Sequence, residues 1–190
     1  KISYPDCPRI STQSMPSTQT AWIMLGWQTT GVMNQKDYAT LQVIDSLLGS
    51  GMSSRLFIDL REQEGLAYQL GSGYSPHALR GSFVLYIGTN PVTVERAKEG
   101  LFNEIKRLKT EYVGDKELQN AKDKLIGNYI IGLETNLDKA SNLGAYEALG
   151  MGYEFRDNYE KLINSVTDTD IIEVANKYFN DNYILSIVTK

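Results

Sequence analysis

The sequence predicts an α+β fold, with an antiparallel or mixed sheet and helices packed on one of its faces. Residues 21–29 form a nearly continuous apolar run, and two further strand patterns follow each other at residues 66–74 and 82–88. Most other long segments repeat apolar residues every three or four positions, as helices do. A hairpin with outlying strands, separated by long helical excursions, favours this fold class.

The chain begins with a segment that predicts no core element. Pro5, Pro8 and Pro16 lie among Ser, Thr and Gln residues, so we expect residues 1–19 to be an irregular lead-in or linker. Residues 20–190 are expected to form a single α+β domain, long enough to bury about 70% of its unfolded surface. Because the first residue is Lys1 and not a methionine, we expect an excised or processed piece.

The first structured half is predicted to run from strand to helix to short helix. The apolar run at residues 21–29 suits a central strand with both faces covered. From Lys36 the apolar period becomes helical, and Gly49 and Gly51 end that helix. Residues 54–64 predict a second, short helix that Gly65 closes. Its cap is expected at Ser53 or Ser54, and its acidic residues Asp59, Glu62 and Glu64 are expected to face solvent.

A hairpin and a series of helices are predicted to follow. Residues 66–74 and 82–88 read as antiparallel strands joined by a turn at 75–81. Apolar spacing predicts helices that begin at about residues 93, 115, 137 and 155. Thr167 and Asp170 form a capping-box-like pair ahead of the last helix, which leads into a strand at residues 183–188.

Composition and charge exclude several classes of protein. The chain is 42% hydrophobic and 22% charged, which is ordinary for a globular protein. No run approaches 18 apolar residues, so we expect no membrane as a partner. The 19 basic and 23 acidic residues give a net charge of -4, and the basic residues are scattered, so nucleic acid is not an expected partner.

The chain lacks the residues of a catalytic metal site. It has one histidine, His77, and one cysteine, Cys7, so it cannot supply a His-rich or Cys-rich zinc ligand set. We therefore predict no metal site and no cofactor in this chain, and a solvated His77 in the hairpin turn. Gly49 and Gly51 follow a helix and not a strand, and no P-loop lysine is present, so a helix break is favoured over a phosphate site.

Arg61 and Tyr68 are the candidate site residues. They lie seven positions apart across a predicted helix-to-strand junction, and a reversal at Gly65 would bring their polar tips together. A planar guanidinium and a neutral hydroxyl are hydrogen-bond donors that suit a polarised carbonyl or its oxyanion. From the pattern alone the alternative stays open that Arg61 pairs with Glu62 or Glu64 while Tyr68 lies in the core.

The segment around these two residues, GSGMSSRLFIDLREQEGLAYQLGSGY at residues 49–74, resembles a family signature. It is similar to the C-terminal, zinc-free homologous domain of the pitrilysin, insulinase and mitochondrial processing peptidase family of zinc metallopeptidases. The match runs through Gly51, Ser53, Ser54, Arg55, Leu56, Phe57, Leu60, Arg61, Gly65, Leu66, Ala67 and Tyr68. The strands and helices fit the same half-domain less specifically, from about Gln19 to the end.

The resemblance implies a function that the residues alone do not give. Proteins of this family have two related α+β halves, and one of them carries an inverted H-x-x-E-H zinc motif. This chain looks like the other half, so zinc is expected in a homologous N-terminal half or subunit, and Arg61 and Tyr68 are expected to bind the substrate peptide. The chain alone is then expected to be inactive. The alternative is a non-catalytic structural or binding companion domain of the same fold.

Overall fold

The computed structural model describes residues 6–190, which form a five-stranded mixed sheet. The strands, in the order β1-β5-β2-β4-β3 across the sheet, are β1 (Arg9–Ser14), β2 (Ala21–Thr30), β3 (Gln69–Pro76), β4 (Arg80–Thr89) and β5 (Ile184–Thr189). The β1–β5 pair is parallel, and the other neighbours are antiparallel. The predicted α+β class and mixed sheet are therefore present, and β3 and β4 form the predicted hairpin.

Helices cover one face of this sheet, as predicted. They are α1 (Gln35–Gly49), a π-helical turn at Phe57–Gln63, α2 (Val94–Thr110), α3 (Asp115–Ile131), α4 (Asn136–Ala148), α5 (Phe155–Asn164) and α6 (Asp168–Tyr178). The predicted capping box opens α6: the Thr167 hydroxyl accepts from the Asp170 amide, and the Asp170 carboxylate accepts from the Thr167 amide. Two orphan donors at the helix start are thereby satisfied.

The core lies between the sheet and α1, α2 and α6. Alternate residues of β2 and β4 point into it, and the pairs Ile23↔Ile87 and Leu25↔Leu85 are fully buried. Apolar side chains of the helices meet them, namely Leu41, Ile44, Leu48, Leu101, Leu108 and Ile171. Burial of each such side chain contributes about 1.5–3 kcal/mol to folding. The apolar residues that repeat every second position in the strands, and every three or four positions in the helices, are therefore the ones that form the core.

The opposite face of the sheet is open, which corrects one prediction. Alternate residues of β2 and their neighbours on β5 point away from the helices, and Trp22, Met24 and Ile184 are all more than a third exposed. The expectation that residues 21–29 have both faces covered is wrong as far as residues 6–190 are concerned. A continuous apolar run indicates that both faces of a strand are buried. It does not indicate whether the second face is covered by the same chain or by another one.

The predicted irregular lead-in also contains a strand. Residues 9–14 form β1, which pairs with β5 in the register Arg9↔Ile184 to Ser14↔Thr189. All six residues are exposed, so backbone hydrogen bonds hold this edge strand and no buried side chain marks it in the sequence. The expectation of irregular structure is therefore wrong for residues 9–14, whereas residues 1–5 lie outside the described residues.

Candidate functional site

Residues 51–68, here called the junction segment, carry both candidate site residues. Gly51 turns the chain with a φ of 82°, and the Ser54 hydroxyl donates to the Gly51 carbonyl at 2.7 Å. The chain then becomes helical and tightens into the π-helical turn, where fully buried Leu60 anchors it to the core. Gly65, with a φ of 64°, ends the turn as predicted. Short π-helical turns occur frequently at functional sites.

Arg55 fixes the start of the junction segment to α3. Its guanidinium donates twice to the Glu117 carboxylate, Nε to Oε1 at 2.6 Å and Nη2 to Oε2 at 2.8 Å. The Arg55 side chain is only 7% exposed while the Glu117 side chain is 39% exposed, so the bidentate pair is desolvated on the arginine side alone. Sequence reasoning recognised Arg55 only as part of the motif, since a partner 62 positions away leaves no local signal.

Two acidic residues fix the end of the segment to α2. Arg107 Nη1 donates to Asp59 Oδ2 at 2.7 Å and to Glu104 Oε1 at 2.8 Å. Arg96 Nη2 donates to Glu64 Oε1 at 2.7 Å. Burial raises the pKa of the Glu104 carboxyl although Arg107 favours its charged form. The expectation that the acidic residues of this turn face solvent is confirmed for Glu62 and Glu64, although Glu64 also pairs with α2. It is wrong for Asp59, which is half-buried because it pairs with Arg107.

Arg61 differs from Asp59 and Glu64 because no salt bridge within residues 6–190 ties it to α2. It is exposed, and its guanidinium carbon lies 5.1 Å from the centroid of the Phe57 ring. Within residues 6–190 it forms no ion pair, and Glu64 is taken by Arg96. The alternative in which Arg61 pairs with a glutamate of its own helix is therefore not what the structure has.

Tyr68 lies directly before β3 and is also accessible. Its side chain is 61% exposed, and its backbone amide donates to the Gly88 carbonyl at 2.9 Å, which fixes its position beside β4. The alternative in which Tyr68 lies in the core is therefore wrong. Both Arg61 and Tyr68 are exposed, one in the π-helical turn and one directly before β3. The approach of their polar tips and their role toward a substrate stay predictions.

The donor set of the described residues does not fit a zinc site. Nowhere in residues 6–190 do three or more His, Cys, Asp or Glu side chains form a group that could hold a metal ion. His77 and Cys7 are both exposed, and neither of them belongs to such a group. Over the same residues, no helix has the length and apolar character needed to cross a membrane.

Comparison with known sequences identifies relatives of this chain. A family model described as "Peptidase M16 inactive domain" matches residues 3–125, which confirms the resemblance drawn from residues 49–74. The uncharacterized zinc protease YmxG of Bacillus subtilis is 30% identical over 172 residues, covering 90% of this chain and 42% of that protein. An uncharacterized zinc protease of Rickettsia bellii is 31% identical over 166 residues, covering 87% of this chain and 40% of that protein.

Solved structures share the fold. A protease from Helicobacter pylori superposes with a TM-score of 0.89 at 23% identity, over 99% of this chain and 46% of that one. A peptidase M16 inactive domain from Pseudomonas fluorescens gives a TM-score of 0.85 at 25% identity, over 98% of this chain and 44% of that one. The chain thus spans less than half the length of these relatives, and it has the fold of their corresponding part.

Proposed function

The chain belongs to the peptidase M16 family as an inactive domain, and from this we propose that it is the zinc-free C-terminal half of a two-half zinc peptidase. The relatives support the proposal, because two of them are described as zinc proteases and each is more than twice as long as the matched region. The companion half would carry the zinc, since the donor set of residues 6–190 does not fit one.

In this proposal Arg61 and Tyr68 bind the substrate peptide. The observation that carries it is the contrast within one short helix: Arg55 and Asp59 are locked by ion pairs, whereas Arg61 is exposed and has no carboxylate partner among residues 6–190. The helix is held by these ion pairs and carries an exposed guanidinium with no ion-pair partner among residues 6–190, and the exposed phenol of Tyr68 follows it in the chain. Both groups can donate hydrogen bonds. Peptide carbonyl oxygens are acceptors of the kind that both groups recognise.

The two halves would enclose the peptide in a chamber, of which this chain forms one wall. Exposed donors in water gain little from binding a carbonyl, because water competes for the same hydrogen bonds. Closing a companion half over the junction segment would exclude that water and strengthen both donors. The zinc of the companion half would supply a Lewis acid for peptide hydrolysis, while Arg61 and Tyr68 would orient the peptide.

The experiment compares this chain alone, the companion half alone and the two together on a quenched peptide substrate. The proposal predicts hydrolysis by the combination, abolished by a chelator, and none by this chain alone. It also predicts an H-x-x-E-H motif with a downstream glutamate in the companion half. Hydrolysis by this chain alone would contradict the proposal.

A second candidate is a non-catalytic companion domain, and the open sheet face favours it. Trp22, Met24 and Ile184 present large apolar side chains on one surface, which is typical of a protein interface. In that case the chain would bind a homologous subunit for structural reasons only. A companion half that binds this chain stably but lacks the zinc motif, together with no hydrolysis by the pair, would support this candidate over the enzyme.

A further inference from the structure

Asp45, on α1, holds the free edge of the sheet. β3 is an edge strand, and the Ser72 hydroxyl donates to Asp45 Oδ1 while the backbone amide of Tyr74 also donates to this carboxylate. The Ser72 contact joins α1 to this edge strand. The contacts also fix the carboxylate in one position on the helix-covered side of the sheet.

Among residues 6–190 this carboxylate has no cationic partner. Ion pairs within residues 6–190 do not include Asp45, and no basic side chain is among the groups that set its pKa. Burial raises the pKa of the Asp45 carboxyl, opposed by the hydrogen bonds from Ser72 and Tyr74. Asp45 is partly buried, and a carboxylate withdrawn from water is stabilised when a cation pairs with it.

A cavity of about 320 Å³ borders Asp45, which is roughly ten times the volume that one water molecule occupies in the liquid. It is lined by Gln42, Asp45, Tyr74, Leu125, Asn128, Tyr129 and Tyr159. The Tyr129 and Tyr159 rings stack with centroids 4.1 Å apart, and the Tyr159 hydroxyl donates to Gln42 Oε1 at 2.6 Å. The lining therefore combines one carboxylate, amide oxygens and aromatic faces, and it contains no basic side chain.

We propose that this cavity binds a primary ammonium group on an unbranched alkyl chain, with the ammonium on Asp45 and the alkyl chain along Tyr129 and Tyr159. A carboxylate supplies the counter-charge, and aromatic faces attract cations and pack against methylene groups. A metal ion fits less well, since no group of three or more acidic or other metal-ligating side chains exists in residues 6–190. Arg61 and Tyr68 do not line this cavity, so the inference stands apart from the proposed function.

A primary ammonium on an unbranched alkyl chain occurs both in a free alkylamine and in the lysine side chain of a peptide. The probes are therefore n-butylammonium and Nα-acetyl-lysine N-methylamide, with n-pentanol as the neutral probe of similar length. Each is titrated into the 15N-labelled chain, and amide shifts around the cavity report binding. Saturable shifts with either amine and none with n-pentanol are expected, and the amine that binds tells which source the cavity accepts.

Three variants make the test specific. Asp45→Asn keeps a hydrogen-bond acceptor for Ser72 and Tyr74 but removes the charge, and it is expected to weaken amine binding at least tenfold. Asn128→Trp places bulk at an exposed position of the lining and is expected to block the cavity without touching Asp45. Asp123→Asn, an exposed change on α3 outside the lining, is the control and is expected to bind like the wild type.

The outcomes decide the proposal in either direction. Loss of amine binding in both Asp45→Asn and Asn128→Trp, with native spectra and an unaffected Asp123→Asn, would support it. Absence of saturable amine binding to the wild type would overturn it. So would equal binding of n-pentanol, or an unchanged affinity in a folded Asp45→Asn variant, because the carboxylate would then not recognise the ammonium.

Discussion

The Arg55 guanidinium and the Glu117 carboxylate join the junction segment to α3 through two parallel hydrogen bonds of 2.6 and 2.8 Å. Asp59 and Glu64 tie the same segment to α2. The π-helical turn is therefore held from two helices, and Arg61 extends from it toward solvent. Arg55, Arg96 and Arg107 therefore maintain the fold, whereas Arg61 is the arginine that we propose binds the substrate.

The first prediction compares two Arg→Lys substitutions. Arg55→Lys loses the planar fork that fits Glu117 while the charge stays buried, so the free energy of unfolding should fall by about 1–2 kcal/mol. Arg61→Lys, at an exposed position without an ion-pair partner among residues 6–190, should change it by less than about 0.5 kcal/mol. Urea unfolding measures both. Equal losses in the two variants would contradict the separation of roles.

The second prediction compares two glycines in helices. A Cβ at Gly49 would lie 2.0 Å from the Ser72 backbone nitrogen, so Gly49→Ala forces α1 away from β3. Overpacking of this kind costs about 1–3 kcal/mol. Gly144→Ala in α4 meets nothing within 4 Å, so it should stabilise the chain by up to about 1 kcal/mol through helix propensity. Thermal melting of both variants checks the prediction, and an unchanged melting temperature for Gly49→Ala would count against the close α1–β3 contact.

The third prediction concerns pH. Because burial raises the pKa of the folded Asp45 carboxyl, the folded chain keeps this proton to higher pH than the unfolded chain does. Between the two pKa values the folded state binds more protons, so the Asp45 contribution to stability decreases as the pH rises above about 4 and becomes constant above the raised pKa. Asp45→Asn lacks this titration, so its stability relative to the wild type should increase over the same pH range. Urea unfolding at several pH values measures the difference, and a difference that is constant or changes in the opposite direction would contradict the assigned pKa direction.

The fourth prediction concerns the chain by itself. With one histidine and one cysteine in the sequence, it should bind no stoichiometric zinc and cleave no peptide. Elemental analysis of the purified chain and a quenched-peptide assay test both statements. One zinc ion per chain, together with peptide hydrolysis that a chelator abolishes, would contradict them.

Much of the fold follows from periodicity, and the exceptions have physical reasons. The sequence predicts α1, α2, α3, α5 and α6 because apolar residues that repeat at helical spacing are buried in each of them. The helix α4 is also predicted from its spacing, but it buries only Tyr146. The edge strand β1 was missed because all of its residues are exposed and only backbone hydrogen bonds hold it. The second face of β2 was predicted to be covered because its sequence is apolar, whereas no element of this chain packs there within residues 6–190.

The sequence predicts the donor groups of the candidate site but not the contacts that hold the junction segment in place. Arg61 and Tyr68 stand out as two different donors at one helix-to-strand junction. Their exposure follows from how the junction segment is fixed, and the partners of Asp59 and Glu64 lie 48 and 32 positions away on α2. Ion pairs over such separations depend on the packed fold, so local spacing does not reveal them. The π-helical turn, in which Leu60 is buried, likewise has no composition signal in the sequence.

The measurement that tests the central claim most directly is kcat/KM of Tyr68→Phe and Arg61→Lys in the enzyme reconstituted from both halves, with thermal melting of every variant. Tyr112→Phe, another exposed tyrosine outside the junction segment, is the matched control. Losing one donor to a developing oxyanion costs about 3–4 kcal/mol, and a donor to a neighbouring peptide carbonyl costs less. We predict that both variants lose roughly tenfold or more in kcat/KM with unchanged melting, while Tyr112→Phe keeps wild-type kinetics. Wild-type kcat/KM in both site variants, or a loss of activity that a collapsed melting temperature accounts for, would contradict a substrate-binding role for Arg61 and Tyr68.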